Sequence, residues 1–467
     1  MHADPSLTFS PEEFRRLGHL VVDRLADHLA QLDALPPVAA IDPDWSAASL
    51  APCPDGPTDP DAALAALFDE ILPRGQLGTH PRFFARISSP SNPVSVLAEL
   101  AGVGWNAFAG SWTGGSGASA VELAVLDWLR EWMGMPAGSE GVLVTGGSVG
   151  TLTALAAAAL YRVEDRAAAT GYASDHTHGA VAKMWRILGF APANLRVLPA
   201  DPAFRLRGEA VRAAVAADRA AGLQPFCVLA TAGTTSTGSV DPLDELAGVC
   251  AGEGLWFHVD GAYGAPARLV PAGRELLAGI ERADSLVLDP HKWLFQPYEI
   301  GAVLLREPGL LSRAFTLDGA YLRDTRGGVV EFRERGPQLT RGARALKLWL
   351  SLRVFGLDAF RAAIARGIAL AEHAEALLRE RDGWEVVSPA RLAIVCFRRA
   401  GHSDEQTDAL VRAMVAEGYA APSTTVLDGR TVARLCTINP RTTEDDIHET
   451  IERLERLDIS TLRGLPK

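Results

Sequence analysis

The pattern of apolar and polar positions divides the chain into three stretches. At the amino terminus, Ser10 and Pro11 form a helix start, because a hydroxyl cap and a proline at the first helical position suit amides that lack partners within the helix. Apolar residues recur at helical spacing over 14–25, which predicts one apolar face. Seven prolines over 36–60 predict an extended strap without a core of its own. Arm and strap must therefore dock on something larger.

The middle stretch, 62–310, alternates between short β-rich runs and helical patterns. The helical patterns include 120–132 and 152–169. Buried strands are predicted over 141–145, 226–231, 255–260 and 285–288. Strands that alternate with helices indicate an α/β fold, with a mostly parallel sheet and helices on both faces.

The pattern changes after residue 342. Helices are predicted at about 342–354 and onward to 381. They are followed by strands at 384–388, 392–398 and 432–438, with helices near 404–417 and 443–457. This is a small α+β unit. We therefore predict a helical arm and strap over 1–75, a large domain over 76–360 and a small carboxyl-terminal domain over 361–467.

Composition narrows the class of protein. The 467 residues suffice for two or three packed units, and 48% apolar with 22% charged residues excludes a largely disordered chain. The net charge of −12 argues against binding nucleic acid or an anionic membrane surface. We see no secretion signal, membrane span, disulfide framework or metal-ligand spacing, so we expect a cytoplasmic protein without a metal site.

Two candidate catalytic residues follow predicted strands. Lys292 comes shortly after 285–288, where burying an ammonium would be costly. Desolvation should lower its pKa and make it a nucleophile for a Schiff base, although an exposed loop lysine is the simpler alternative. Asp260 ends the run 255–260, and a buried carboxylate there could keep a pyridinium nitrogen protonated; a turn or cap role stays open. The small Ala262 would leave room for a flat ring.

Two loops add candidate binding groups. Gly147 and Ser148 follow a strand and open a helix, where unpaired amides can hold a phosphate, although Gly-Gly turns before helices are common. His176 and His178 form a pair in which an imidazole could stack on an aromatic cofactor, and a surface histidine pair is the alternative. In chain order, the sequence thus offers a phosphate site, a stacking imidazole, an acid and a Schiff-base lysine.

Longer segments carry a family resemblance. Segments 80–84 and 121–123 match landmarks of the first domain, and 230–242 and 291–294 are more specific. Through them the chain resembles the pyridoxal-phosphate-dependent group II amino-acid decarboxylases, which include aromatic-L-amino-acid decarboxylases, over nearly its whole length. The resemblance implies the fold-type I architecture, pyridoxal 5'-phosphate as cofactor and a homodimer with an active site at its interface.

The resemblance also implies that eight residues bind the cofactor. Lys292 forms the internal aldimine, Asp260 pairs with the pyridine nitrogen, and His178 stacks on the ring. Lys292 and His178 are expected to act in catalysis as well. The remaining contacts, to the phosphate, the ring or the substrate side of the cofactor, come from Gly147, Ser148, Thr235, Ala262 and His291.

Tyr321 falls at the family's catalytic-loop tyrosine, in a Gly-rich polar segment expected to form a mobile lid that reaches across the dimer. A phenol there can return a proton to the α-carbon of the quinonoid after CO2 leaves. Relatives with phenylalanine at this position tend towards oxidative decarboxylation–deamination to an aldehyde, so Tyr321 favours an amine. A packing role for Tyr321 and an aldehyde product both stay open, because the wider pocket also governs access of oxygen.

The candidate substrate-pocket residues depart from the pattern of the aromatic decarboxylases. Trp105, Phe108 and Trp112 favour an aromatic or bulky apolar amino acid. Thr340 stands where a small residue tunes selectivity among aromatic substrates. Arg86 could instead hold an acidic or polar side chain, or it could be a surface arginine.

Other classes of protein remain. An aminotransferase would share the fold and the cofactor, but the lid tyrosine and the 291–293 context argue against it. A catalytically inactive scaffold would have been indicated by loss of Lys292 or Asp260, and both are present. The apolar arm fits a homodimer, with packing on its own subunit as the alternative.

Overall fold

The structure, a computed structural model, describes residues 7–39, 45, 53–316 and 329–458. Its centre is a seven-stranded sheet. The strands are β1 (Glu140–Val144), β2 (Ala169–Ser174), β3 (Leu195–Leu198), β4 (Gln224–Thr231), β5 (Trp256–Asp260), β6 (Ser285–Leu288) and β7 (Gly301–Leu305), in the spatial order β1-β7-β6-β5-β4-β2-β3. Among these strands, only β7 is antiparallel to its neighbours, so the other six end at one edge. The predicted, mostly parallel sheet is confirmed.

Helices accompany this sheet and connect its strands. They are α1 (Pro11–Gln31), α2 (Pro60–Ala66), α3 (Pro93–Gly104), α4 (Trp112–Trp132), α5 (Gly147–Arg162), α6 (Ala180–Ile187), α7 (Gly208–Ala220), α8 (Leu243–Glu253), α9 (Pro271–Leu276) and α10 (Leu310–Phe315). The helix predicted over 152–169 is wrong at its end, because α5 stops at Arg162 and Ala169 begins β2. The sequence of β2 is rich in small residues, so its strand state follows from burial between β3 and β4 rather than from propensity.

The small carboxyl-terminal unit is built on a four-stranded antiparallel sheet. Its strands are β8 (Trp384–Arg391), β9 (Ile394–Arg399), β10 (Ser423–Leu427) and β11 (Arg430–Cys436), in the order β10-β11-β9-β8. Helices α12 (Asp404–Glu417) and α13 (Glu444–Arg456) complete it. The predicted α+β character is confirmed, although β10 was missed.

One long helix joins the two sheets. Helix α11 (Ala345–Arg379) is bent at Gly356, whose φ of +74° lies in the left-handed region that favours glycine. This bend explains why the sequence predicts two helices with a break near 354. Because α11 runs through residue 360, the predicted boundary between the domains falls within a continuous helix, and the domain limits stay a prediction.

The arm begins as the sequence predicts. The Ser10 hydroxyl accepts a hydrogen bond from the Glu13 amide at 3.2 Å and caps α1. Its predicted apolar face is partly covered within the chain: Leu17 is buried, Leu20, Val21 and Leu25 are half-buried, and Phe14 is 69% exposed. Among the described residues, no helix is both long and apolar enough to cross a membrane.

Candidate active site

A cavity of about 300 Å³ lies at the edge of the seven-stranded sheet where the six parallel strands end. Strand order brings together loops that are far apart in the sequence, because the loops after β1, β2, β4, β5 and β6 all open onto this edge. All eight residues predicted to bind the cofactor line the cavity: Gly147, Ser148, His178, Thr235, Asp260, Ala262, His291 and Lys292. Tyr321 lies outside the described residues.

Lys292 follows β6 and forms an ion pair with a carboxylate that the sequence analysis did not single out. Its Nζ lies 3.0 Å from Oδ2 of Asp289, which is almost completely buried. The other carboxylate oxygen of Asp289, Oδ1, is buried and has no hydrogen-bond partner among the described residues. The lysine is thus held at the floor of the cavity by a neighbour three residues earlier in the chain.

The expectation of a lowered pKa for Lys292 is wrong. Desolvation does act to lower the pKa, but attraction by the carboxylates of Asp289 and Asp260 outweighs it, so the pKa lies above its ordinary value. The sequence analysis considered desolvation alone, whereas the attraction of the two carboxylates acts in the opposite direction and prevails.

Asp260 ends β5, directly beside β6 in the sheet. Its Oδ1 accepts a hydrogen bond from the Ala262 amide at 3.1 Å, and the Ala262 carbonyl accepts one from the Asp289 amide at 3.1 Å. The backbone of Ala262 therefore ties the two acidic residues together. Asp260 remains able to accept further hydrogen bonds, as a partner of a protonated ring nitrogen must.

The backbone of the loop after β1 lies very close to the loop after β5 and to the start of β7. Helix α5 begins at Gly147, and no side chain of the residues that the structure describes caps its first amides. A Cβ at Gly147 would lie 3.0 Å from the Cβ of Ala262, and one at Gly301 would lie 2.5 Å from the Cα of Gly146. Uncapped amides at a helix start form an anion site, and these glycines let the backbone pack tightly around it.

Two histidines line the cavity in different environments. His291 is buried, its Nδ1 accepts a hydrogen bond from the Ile300 amide at 3.3 Å, and desolvation keeps its pKa below the ordinary value. His291 is therefore neutral near pH 7. His178 lies exposed in the turn after β2, and its Nδ1 accepts a hydrogen bond from the Ala180 amide at 3.2 Å. An imidazole at that rim is free to stack on a ring in the cavity.

The cavity also contains residues that the sequence analysis missed. They are Thr145, Gly146, Val149, Thr151, Ala180, Thr231, Gly233, Tyr263, Asp289 and Glu299. Asp289 carried the signal that identified Asp260, since it directly follows an apolar strand. Glu299 had no such signal, because it does not directly follow a predicted strand; it forms an ion pair with Arg344, at 3.0 Å between Oε1 and Nη2.

The five predicted substrate-pocket residues do not reach this cavity among the residues described. Trp105 is 87% exposed, and Arg86 is exposed with its carbonyl accepting a hydrogen bond from Arg434 Nη1 at 2.8 Å. The ring of Phe108 packs over the glycines at the start of α4, where Trp112 is the first residue. Thr340 is exposed. Their assignment to a substrate pocket stays a prediction.

The fold is that of a pyridoxal-phosphate enzyme of fold type I. Residues 53–400 match the pyridoxal-dependent decarboxylase conserved domain, and the chain belongs to that family. The predicted class of enzyme, an amino-acid decarboxylase dependent on pyridoxal phosphate, is confirmed.

Curated relatives cover almost the full chain. An aromatic-L-amino-acid decarboxylase of Bacillus atrophaeus is 41% identical over 464 residues, covering 97% of each protein. A tyrosine decarboxylase of Oryza sativa subsp. japonica is 37% identical and covers 85% of this chain and 78% of its own. A phenylacetaldehyde synthase of Arabidopsis thaliana is 31% identical and covers 94% of each.

Solved structures agree with this fold. The Oryza sativa TDC with PLP and tryptamine superposes with a TM-score of 0.91 at 28% identity, covering 96% of this chain and 99% of that one. The Rhodiola rosea 4-hydroxyphenylacetaldehyde synthase superposes with a TM-score of 0.89 at 26% identity, covering 96% and 98%.

The cavity fits pyridoxal phosphate. It offers a lysine amine, a carboxylate at a strand end and an uncapped helix start, which match an aldehyde, a ring nitrogen and a phosphate. Two polar atoms of lining residues, Oγ1 of Thr231 and Oδ1 of Asp289, are buried without a partner among the described residues. Buried polar groups usually have partners, so these two mark a place for a polar ligand.

Proposed function

We propose that the enzyme decarboxylates aromatic L-amino acids to the corresponding amines and CO2. The observation that carries this proposal is the convergence of Lys292, Asp260 and the start of α5 on one cavity. Its relatives suggest the aromatic substrate class, since they include aromatic-L-amino-acid, tyrosine and tryptophan decarboxylases.

Each residue of the cavity has a proposed task. When bound, pyridoxal phosphate supplies an electron-withdrawing ring that accepts the electron pair of the broken carbon–carboxylate bond. The amine of Lys292 attaches the cofactor, and the carboxylate of Asp260 holds the proton on its ring nitrogen. His178 stacks on one face of the ring. The phosphate contacts come from Gly147 and Ser148.

Three further residues line the remaining sides of the proposed site. Ala262 leaves room beside the ring because its side chain is a single methyl group, and its amide fixes the Asp260 carboxylate. Thr235 is exposed at the cavity wall and can donate a hydrogen bond to the cofactor. His291 is buried and its pKa lies below the ordinary value. The family resemblance assigns it the place between the cofactor and the side from which the substrate enters.

Tyr321 is the proposed source of the proton that replaces the carboxylate at the α-carbon. This assignment rests on the family resemblance of its segment. A phenol held over the α-carbon would deliver the proton before oxygen can react there, and an amine would result.

Oxidative decarboxylation–deamination to an aldehyde is the second candidate. It is favoured by one observation, namely that proteins named phenylacetaldehyde synthase and 4-hydroxyphenylacetaldehyde synthase are among the similar proteins. An acidic or polar substrate held by Arg86 has less support, because that residue does not line the described cavity.

We also propose that the enzyme is a cytoplasmic homodimer with the lid contributed across the interface. Apolar side chains of α3 are exposed in the single chain, namely Leu97, Leu100 and Val103, with Trp105 next to them. A partner subunit on this face would cover them. Light scattering after gel filtration should give twice the mass of the chain, and Leu100→Glu with Val103→Glu should reduce it to one.

Product analysis tests the reaction. The cofactor-loaded enzyme is incubated in air with L-tyrosine, L-tryptophan, L-phenylalanine and, separately, L-glutamate, and amines, aldehydes and peroxide are measured. Amine without peroxide from an aromatic substrate supports the proposal. Formation of aldehyde with equimolar peroxide would support the second candidate, oxidative decarboxylation–deamination, instead. Turnover of glutamate alone would support an acidic substrate bound by Arg86.

Tyr321→Phe tests the proton donor, with Tyr161→Phe on the exposed face of α5 as the matched control. The first variant should form amine about a hundredfold more slowly and release aldehyde instead, as expected for loss of a general acid. The control should behave as the wild type. Unchanged amine formation in Tyr321→Phe would remove Tyr321 from this role.

A further inference from the structure

A buried ion pair lies beneath the wall of the cavity. Glu122 of α4 is completely buried and Arg341 is 3% exposed, with 2.6 Å between Oε1 of the glutamate and Nη2 of the arginine. Desolvation raises the pKa of Glu122, while the arginine charge opposes that shift. Desolvation makes a buried ion pair of this kind costly to form unless further hydrogen bonds satisfy its polar atoms.

Both members of the pair bind the backbone of one residue, Leu143 in β1. The Leu143 amide donates a hydrogen bond to Oε1 of Glu122 at 2.9 Å, and the Leu143 carbonyl accepts one from Nη2 of Arg341 at 2.6 Å. In the part of the chain that the structure describes, β1 is the last strand of the sheet and has no strand beside its outer edge. The two side chains thus take the place of a strand and satisfy both backbone groups at that edge.

Leu143 lies two residues before the turn that contains Gly146 and leads into α5. On its inner edge, β1 pairs with β7, with Leu143 opposite Ala302 and Val144 opposite Gly301. Gly301 in turn packs closely against Gly146. Strand β1 is therefore held between β7 on one side and the ion pair on the other, two residues before the loop that opens α5.

Arg341 also reaches the segment between α3 and α4. Its Nη1 donates a hydrogen bond to the Ala109 carbonyl at 2.7 Å, and its own carbonyl accepts one from the Ala109 amide at 2.9 Å. A single guanidinium thus joins α4, β1 and the 105–112 segment. A lysine could not reproduce this set, because its ammonium lacks the planar fork that addresses several fixed acceptors at once.

From this geometry we infer that Arg341 and Glu122 are positioning residues. They fix the position of residues 145–148, which form the turn after β1 and the first residues of α5, and thereby set the affinity of the enzyme for the 5'-phosphate. The inference rests on the proposed phosphate site at the start of α5. Neither side chain touches the cavity, so their effect passes through Leu143 and the two residues that follow it.

The test compares two cofactors that differ only in the phosphate. Dissociation constants of pyridoxal phosphate and of pyridoxal are measured by equilibrium dialysis for the wild type, Arg341→Lys and Glu122→Gln. If the pair positions the phosphate loop, both variants should bind pyridoxal phosphate about tenfold more weakly. Their affinity for pyridoxal should change little. The affinity ratio, defined as the dissociation constant of pyridoxal divided by that of pyridoxal phosphate, should therefore fall about tenfold.

A matched control lies at the opposite end of the same sheet. Arg196 of β3 makes a less buried charged pair with Asp218, at 2.7 Å between Nη2 and Oδ1, and its Nη1 donates a hydrogen bond to the Ala193 carbonyl. Arg196→Lys should leave the ratio unchanged. Melting temperatures of all variants show how much stability each one loses, and the affinity ratio separates positioning from general destabilisation.

The outcomes are distinct. A lower ratio in both pair variants but not in Arg196→Lys supports the inference. An unchanged ratio, an equal loss for both cofactors, an equal fall in the control, or failure of both pair variants to fold would overturn it. If the wild type binds neither cofactor, the proposed function is refuted, and the inference that rests on it falls with it. If the wild type binds pyridoxal and pyridoxal phosphate equally, the phosphate site alone is refuted.

Discussion

The cofactor cavity and the 105–112 segment differ in how directly the sequence specifies them. At the cavity, eight predicted residues from five loops meet around one space. In the 105–112 segment, three aromatic residues predicted to line a substrate pocket lie elsewhere: Trp105 is exposed, Phe108 packs over glycines and Trp112 begins a helix.

The cause of the difference is the sheet. A residue directly after a parallel strand is placed by that strand, whose register is fixed by burial on both faces. Asp260 ends β5, and Lys292 comes four residues after the end of β6. No strand fixes the 105–112 segment, and its position depends on partners far along the chain, such as Arg341 for Ala109. Local patterns therefore identify cofactor chemistry better than substrate choice.

The largest effect is expected from Lys292→Ala. Without its amine the cofactor cannot be attached, so the absorbance of the protein-bound cofactor should disappear and decarboxylation should fall at least about a thousandfold. Lys183→Ala, on an exposed position of α6, is the control and should keep both. A Lys292→Ala protein with normal absorbance would show that the cavity is not the cofactor site.

A smaller effect is expected from Asp260→Asn. The amide cannot stabilise a protonated ring nitrogen as a carboxylate does, so turnover should fall about a hundredfold while the cofactor stays attached. Absorbance spectra and single-turnover rates separate the two properties. Asp244→Asn, on the exposed face of α8, is the matched control. Equal rates for Asp260→Asn and the wild type would contradict the assignment.

The pH dependence of cofactor attachment should change in Asp289→Asn. Attachment requires an unprotonated amine, and the Asp289 carboxylate helps to hold the pKa of Lys292 above its ordinary value. Removing that charge should move the rise of the attachment rate to lower pH. Stopped-flow absorbance across the pH range measures this rate. A shift to higher pH, or none, would contradict the proposed influence of Asp289.

The smallest effect is expected from Arg86→Ala. The residue is exposed with a φ of +54°, a conformation as unfavourable for alanine as for arginine, and its recorded contact uses the backbone carbonyl. The specificity constant for an aromatic substrate should therefore change by no more than about twofold, a change within the usual range for surface substitutions. A tenfold or larger loss in the specificity constant would contradict this expectation and indicate that Arg86 contacts the substrate in a pocket completed by a partner subunit.

The sequence predicts the fold well where one pattern dominates. It predicts β6 over the same four residues, and α12 at its observed limits. It does not predict β2, because the small residues of this strand give no strand signal. It also predicts the wrong direction for the pKa of Lys292, because the attraction of Asp289 was not considered. Glu122 and Arg341 are 219 residues apart, and no local sequence pattern predicts that they form an ion pair.

The covered edge of β1 has a consequence for solubility. An open edge strand can recruit strands from other molecules and so begin aggregation. Here Arg335 Nη1 donates a hydrogen bond to the Gly141 carbonyl at 3.2 Å, and the Glu122–Arg341 pair binds both groups of Leu143. Charged side chains from α4 and from residues 335–341 thus engage these three outward groups and shield the edge from other molecules in a concentrated solution.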